Sequence, residues 1–135
     1  MKAKEYLNRV AKLDAMIENK SYEIERWKSV ALGTTGRMED DRVKSSGNQQ
    51  KMACAIDRYA DLEREVKACE EEKAEIEHTI ERLDTNEYDV LHKVYFQGMT
   101  LGTLADLNGK QYGWATTTHG RALASLQAIL DNRGN

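Results

Sequence analysis

The chain has 135 residues, enough for one domain or two small ones, with 32% charged and 40% apolar side chains and no proline. Only 7% are aromatic and the formal net charge is −3; the composition favours an all-α protein with much solvated helix surface and argues against a large globular core. Apolar runs are too short for a membrane span of roughly 18 residues, and two cysteines with no cleavable signal fit a reducing cytoplasm.

Residues 3 to about 32 carry a helical stripe. Tyr6, Val10, Leu13, Ile17, Ile24, Trp27 and Ala31 alternate spacings of four and three, with Lys20 in the one gap. This is a heptad seam with a polar interruption. The pattern stops at Gly33. The stretch 33–48, with three glycines, several hydroxyls and mixed charges, reads as a loop longer than most helix connections.

A second stripe begins near Gln49. Met52, Ile56, Tyr59, Leu62, Val66, Cys69, Ile76, Ile80 and Leu83 keep the same period, with Lys73 in the gap. Two helices of about 30 residues joined by one loop are expected to form a long antiparallel hairpin over residues 1–82. Pairing outward from the loop puts Trp27 near Met52 and Ile56, and Tyr6 near Lys73. Cys54 and Cys69 share one helix roughly 22 Å apart, too far to bridge within it. A two-helix hairpin buries little by itself, so it either pairs with a second copy or leans on the rest of the chain. The homodimer is the expectation.

Residues 83–135 read as a separate helix-turn-helix domain. Asp84 or Thr85 caps a helix starting at Asn86–Glu87, with Tyr88, Leu91, Val94 and Tyr95 as its apolar face and Gly98 as a left-handed C-terminal cap. Thr100 caps a short helix carrying Leu101, Leu104, Ala105 and Leu107, ended by Asn108 and Gly109. A longer helix starts near Gly113 or Trp114. Ala105 and Ala115 permit a close helix crossing.

The early positions of that last helix face away from the core and form the candidate DNA-binding set: Lys110, Gln111, Gly113, Trp114, Thr116, Thr117, Gly120 and Arg121. Threonine hydroxyls bond phosphates or base edges, and threonine methyls touch thymine methyls. Arginine forks onto guanine or a phosphate. Lys110 and Gln111 are placed for backbone contacts. Trp114 either stacks on DNA or a partner, or covers the first helix. His119 is expected to pack with one nitrogen bonded, and His78 among Glu75, Glu77 and Glu81 to be solvated, since the paired histidines of a zinc helix are missing. No nucleophile motif, phosphate loop or cysteine cluster appears, so neither an enzyme nor a bound cofactor or metal is expected.

Residues 83–135 hold four basic side chains (Lys93, Lys110, Arg121, Arg133) against five acidic. Phosphate attraction needs basic groups on the docking face. Weak DNA binding by a lone monomer follows, with a second copy or a DNA-bound partner supplying the rest.

The stretch from Leu83 through Leu126 resembles region 4 of sigma-70-type factors, which reads the −35 promoter element. The matching features are EYDVLHKVYFQG, then MTLGTLAD, then a break, then a helix ending RALASL. The full layout, with QYGWATTTHGRAL behind long helices, is similar to small phage and prophage regulators of Gram-positive bacteria, the ArpU and RinA types. The resemblance implies control of phage transcription through the major groove of double-stranded promoter DNA, together with host RNA polymerase. Region 4 usually has a more basic recognition helix; this one offers mostly threonines, one histidine and one arginine. The acidic balance also suits a different class: a small helical phage protein that grips a host polymerase or defence complex without reading DNA.

Overall fold

The computed structural model describes residues 1–33 and 45–133, except the side chains of 45–48. The described residues are helical throughout their regular structure, in the order α1 (Ala3–Leu32), α2 (Ser45–Ile80), α3 (Thr85–Leu91), α4 (Leu101–Leu107) and α5 (Tyr112–Arg133), with a π-helical turn at His92–Phe96 between α3 and α4. The expected loop over 33–48 falls outside the described residues at 34–44, and its last four residues, Ser45–Asn48, belong to α2. No described helix is long and apolar enough to cross a membrane.

The chain forms two compact units: residues 1–13 with 72–135, and residues 14–71. The division therefore falls inside both long helices rather than between residues 82 and 83.

In the 14–71 unit, α1 and α2 run antiparallel. Lys20 pairs with Glu65 at 2.7 Å, and Lys28 with Glu63 at 3.5 Å. Ile24, Ala31, Ala55, Leu62 and Cys69 are buried between the two helices. Met52 and Ile56 are not: they are 41% and 45% exposed. The expected register is thus corrected by more than a turn. Lys28 lies over the Tyr59 ring, so this end of α1 pairs about a turn beyond Ile56. The cause is unequal length, since α2 has 36 residues against 30 in α1.

The same correction holds in the other unit. There Tyr6 bonds Thr79 rather than approaching Lys73, donating its hydroxyl hydrogen at 2.9 Å, and Arg9 forks onto Glu72 at 2.7 and 3.1 Å. Thr79 is buried yet satisfied: it donates to the Glu75 carbonyl at 3.0 Å and also accepts from Arg133 at 3.2 Å. A hydroxyl withdrawn from water needs such partners.

The elements after α2 are set by local chemistry. Asp84 caps α3, its carboxylate accepting from the Glu87 N–H at 2.9 Å. The helix then widens: Gln97 N–H reaches back five residues to the His92 carbonyl, and Met99 N–H six residues to Lys93. Gly98, at φ +74°, makes the reversal there without the cost a Cβ would add. Thr100 caps α4 by accepting from the Thr103 N–H at 3.1 Å. At its end Gly109 N–H bonds the Asp106 carbonyl and Lys110 N–H the Ala105 carbonyl, a Schellman closure through Gly109 at φ +62°.

Candidate nucleic-acid interface

Helices α4 and α5, joined by the short turn after Gly109, pack as a helix-turn-helix against α3. Val90, Leu104, Ala105 and Ala115 are buried in one cluster, with Val94, Leu101 and Trp114 packed on it. Ala105 and Ala115 are 2% and 0% exposed; larger side chains there would hold the helices apart. Farther along α5, Ala122 and Leu126 are also fully buried. One face of α5 is therefore committed to the core.

The opposite face is open. Lys110, Gln111, Gly113, Thr116, Thr117, Gly120 and Arg121 are all exposed. Trp114 is half-buried against the cluster, so part of it covers the helix-turn-helix core. Lys110, Trp114 and Arg121 line one cleft together with Asp84, Asn86, Glu87, Asn108 and Thr118. Neither Lys110 nor Arg121 has an ion-pair partner among the described residues. Helix α5 carries no carboxylate before Asp131.

Two details qualify the chemistry. The Thr116 hydroxyl donates to the Gly113 carbonyl at 3.0 Å, so its hydrogen is used within the helix and its methyl and lone pairs remain for a partner. A Cβ added at Gly113 or Gly120 would meet nothing within 4 Å, so no internal contact requires a glycine at either place.

The inner edge of α5 is held by a polar pair. His119 Nε2 lies 2.8 Å from the Tyr95 hydroxyl, and the two rings stack. Burial, then the charge of Lys4, holds the His119 imidazole below its ordinary range, and burial pushes the Tyr95 phenol up. His119 thus has one bonded nitrogen, as its position on the stripe suggests. His78 is exposed and lies 3.1 Å from Glu81.

The π turn ties this region to the end of α2. His92 Nε2 sits 2.8 Å from Glu77, its Nδ1 3.0 Å from Gln97, and its ring stacks on Phe96. Residues outside the candidate DNA-binding set also stand at the open face, among them Leu107, which the sequence places on the apolar side of α4. Leu107 and Tyr112 flank the turn at 61% and 60% exposure, and Asp84 and Glu87 bring carboxylates to the cleft. Among the described residues no cluster of side chains is arranged to hold a metal ion. Comparison with family models, curated proteins and solved structures returns no match for this chain.

Proposed function

We propose that the chain is a phage-type transcription regulator that lays the front of α5 in the major groove of promoter DNA, acting together with host RNA polymerase. The observation that carries this reading is the pair of exposed helical glycines on an otherwise small-residue face. A glycine inside a helix costs roughly 0.5–1 kcal/mol relative to alanine, and nothing inside the molecule requires Gly113 or Gly120. A face of Gly113, Thr116, Thr117 and Gly120 lets a helix backbone approach a groove floor closely. Threonine methyls then meet thymine methyls, and Arg121 supplies a fork for guanine or phosphate.

Homodimerisation belongs to the same proposal. The 14–71 unit leaves Tyr22, Met52 and Ile56 exposed, and a second copy covering them would bring two recognition helices to paired half-sites. Ile56→Lys is expected to abolish concentration-dependent association in sedimentation equilibrium.

The test of DNA reading is selection from a random duplex pool with the full chain. Enrichment of one motif, lost in Arg121→Ala, supports the proposal. A second reading rests on Leu107 and Tyr112, whose exposed apolar surface beside Asp106 suits a protein partner. No enrichment, with capture of purified host RNA polymerase that Tyr112→Ala abolishes, favours an interaction protein that does not read DNA.

A further inference from the structure

We infer that Lys4, in the first turn of α1, is a phosphate-contacting residue on the border of the α5 surface. This rests on the DNA reading above and extends it to a residue more than a hundred positions away in sequence. The first turn of α1 is fixed against α5 by two hydrogen bonds. Ala3 N–H donates to Gln127 Oε1 at 2.7 Å, and Gln127 Nε2 donates to the Met1 carbonyl at 3.0 Å. Gln127 stands seven residues beyond Gly120, two helical turns along the same side. Ala3 is buried there and Lys4, the next residue, is exposed.

The ammonium of Lys4 has no ion-pair partner among the described residues, and it is close enough to His119, beside Gly120, to disfavour a second positive charge there. Arg121 is turned about 100° from Gly120 around the helix, toward the cleft with Lys110 and Trp114. The front made by Gly113, Thr117 and Ala124 therefore lies between a cation from α1 on one edge and Arg121 on the other. A major groove about 12 Å wide has a phosphate backbone along each border. A helix seated in it gains most from a cation on both sides, and along its front α5 itself supplies only Arg121, its other cation, Arg133, being bonded to Tyr6 and Thr79.

The test uses the full chain with a mixed-sequence duplex and a motif-enriched duplex, titrated over a range of salt. Lys4→Gln is expected to weaken binding several-fold on both duplexes alike. It should also lower the slope of log K against log salt by about 0.9, the value of one phosphate contact. Lys4→Arg should restore both. Lys67→Gln, the same charge change within residues 14–71, should alter neither. A wild-type slope in Lys4→Gln, or an equal loss in Lys67→Gln, would overturn the role of Lys4 while leaving DNA reading intact. Absence of duplex binding by the wild-type chain at low salt would remove both.

Discussion

Residues 1–13 with 72–135, and residues 14–71, draw on the same two long helices but close their cores by different means. In the first unit apolar side chains arrive from five helices: Leu7, Val10 and Leu13 from α1, Ile76 and Ile80 from α2, Val90 and Leu91 from α3, Leu104 from α4, Leu126 from α5. All are 3% exposed or less. In the second unit, among the described residues, two helices meet alone. Ile24, Ala31, Ala55, Leu62 and Cys69 are buried, three of them small, while Ile17, Trp27, Tyr59 and Val66 are only half covered. Ion pairs border this seam, and such exposed pairs contribute about 0–1 kcal/mol each. Full burial of one leucine contributes about 1.5–3 kcal/mol. A third and fourth helix is thus what turns a stripe into a core, and only the unit that carries α5 has them.

The largest effect should come from cutting that core along the sequence boundary at residue 83. Residues 83–135 alone lack Leu7, Val10, Ile76 and Ile80, and they lose the bonds from Gln127 and Arg133 to α1 and α2. They are expected to melt without a cooperative transition in circular dichroism. A sharp transition would show that α3–α5 need nothing from the long helices. Next in size is Leu104→Ala, expected to cost about 2–5 kcal/mol by urea denaturation. Ile56→Ala in the monomer should stay within about 0.5 kcal/mol. The two tryptophans read the two units separately, Trp114 in the first and Trp27 in the second, so Trp27→Phe and Trp114→Phe backgrounds assign each loss. Below these comes Arg121→Ala, which should weaken the enriched duplex by about 1–3 kcal/mol if the guanidinium forks onto a base, with Trp114 fluorescence melting unchanged. Equal binding in polarisation titrations would take Arg121 out of the interface.

How far the sequence foretold this depends on how local each cause is. The caps at Asp84 and Thr100, and the turns at Gly98 and Gly109, are decided by one side chain acting within a few residues, and they were legible. The open face of α5 was legible too, because Ala115, Ala122 and Leu126 mark its core side by period alone. Leu7 was not. It lies off the stripe of Tyr6, Val10 and Leu13, and it is buried because α1 is covered on a second side in the unit it shares with α5. A one-partner seam cannot announce a second partner. The register failed because pairing outward from a loop assumes equal arms. The π turn left no mark in EYDVLHKVYFQG, where its period cannot be told from that of an α-helix over so few residues. At the candidate interface, the carboxylates Asp84 and Glu87 reach the cleft only through the placement of α3 against α5. Trp114, with both roles open in sequence, packs on the cluster and also lines the cleft.

Gly120→Ala sharpens the comparison from the side of function. The substitution fits the helix, since its Cβ meets nothing within 4 Å. It should stabilise the first unit by about 0.5–1 kcal/mol, seen in Trp114 melting and not in Trp27 melting. It should also weaken duplex binding, because the added methyl stands where the groove floor is to come closest. Stabilisation with undiminished binding would mean that the front of α5 does not sit against DNA.

The smallest effect is one of pH, and it separates the units by where it begins. His119 belongs to the first unit, and its imidazole titrates below the ordinary value of 6.5, chiefly through burial and secondarily through Lys4. Below about pH 6.5 the unfolded chain takes up a proton that the folded chain resists, so stability is full above that pH and falls as acid approaches the lowered folded value. Glu72 in the same unit and Glu65 in the other are held below their ordinary 4.5, first by hydrogen bonds from Arg9 and Lys20 and then by those cations' charge. Their contribution is present above pH 4.5 and is lost only as pH drops beneath it. Trp114 melting should therefore begin to fall between pH 6.5 and 4.5, while Trp27 melting holds until pH 4.5. His119→Gln, whose amide can still meet the Tyr95 hydroxyl, should erase the upper window and leave the lower one. If both tryptophans respond together from pH 6.5, the two regions melt as one cooperative body, and the contrast between their cores does not extend to their unfolding.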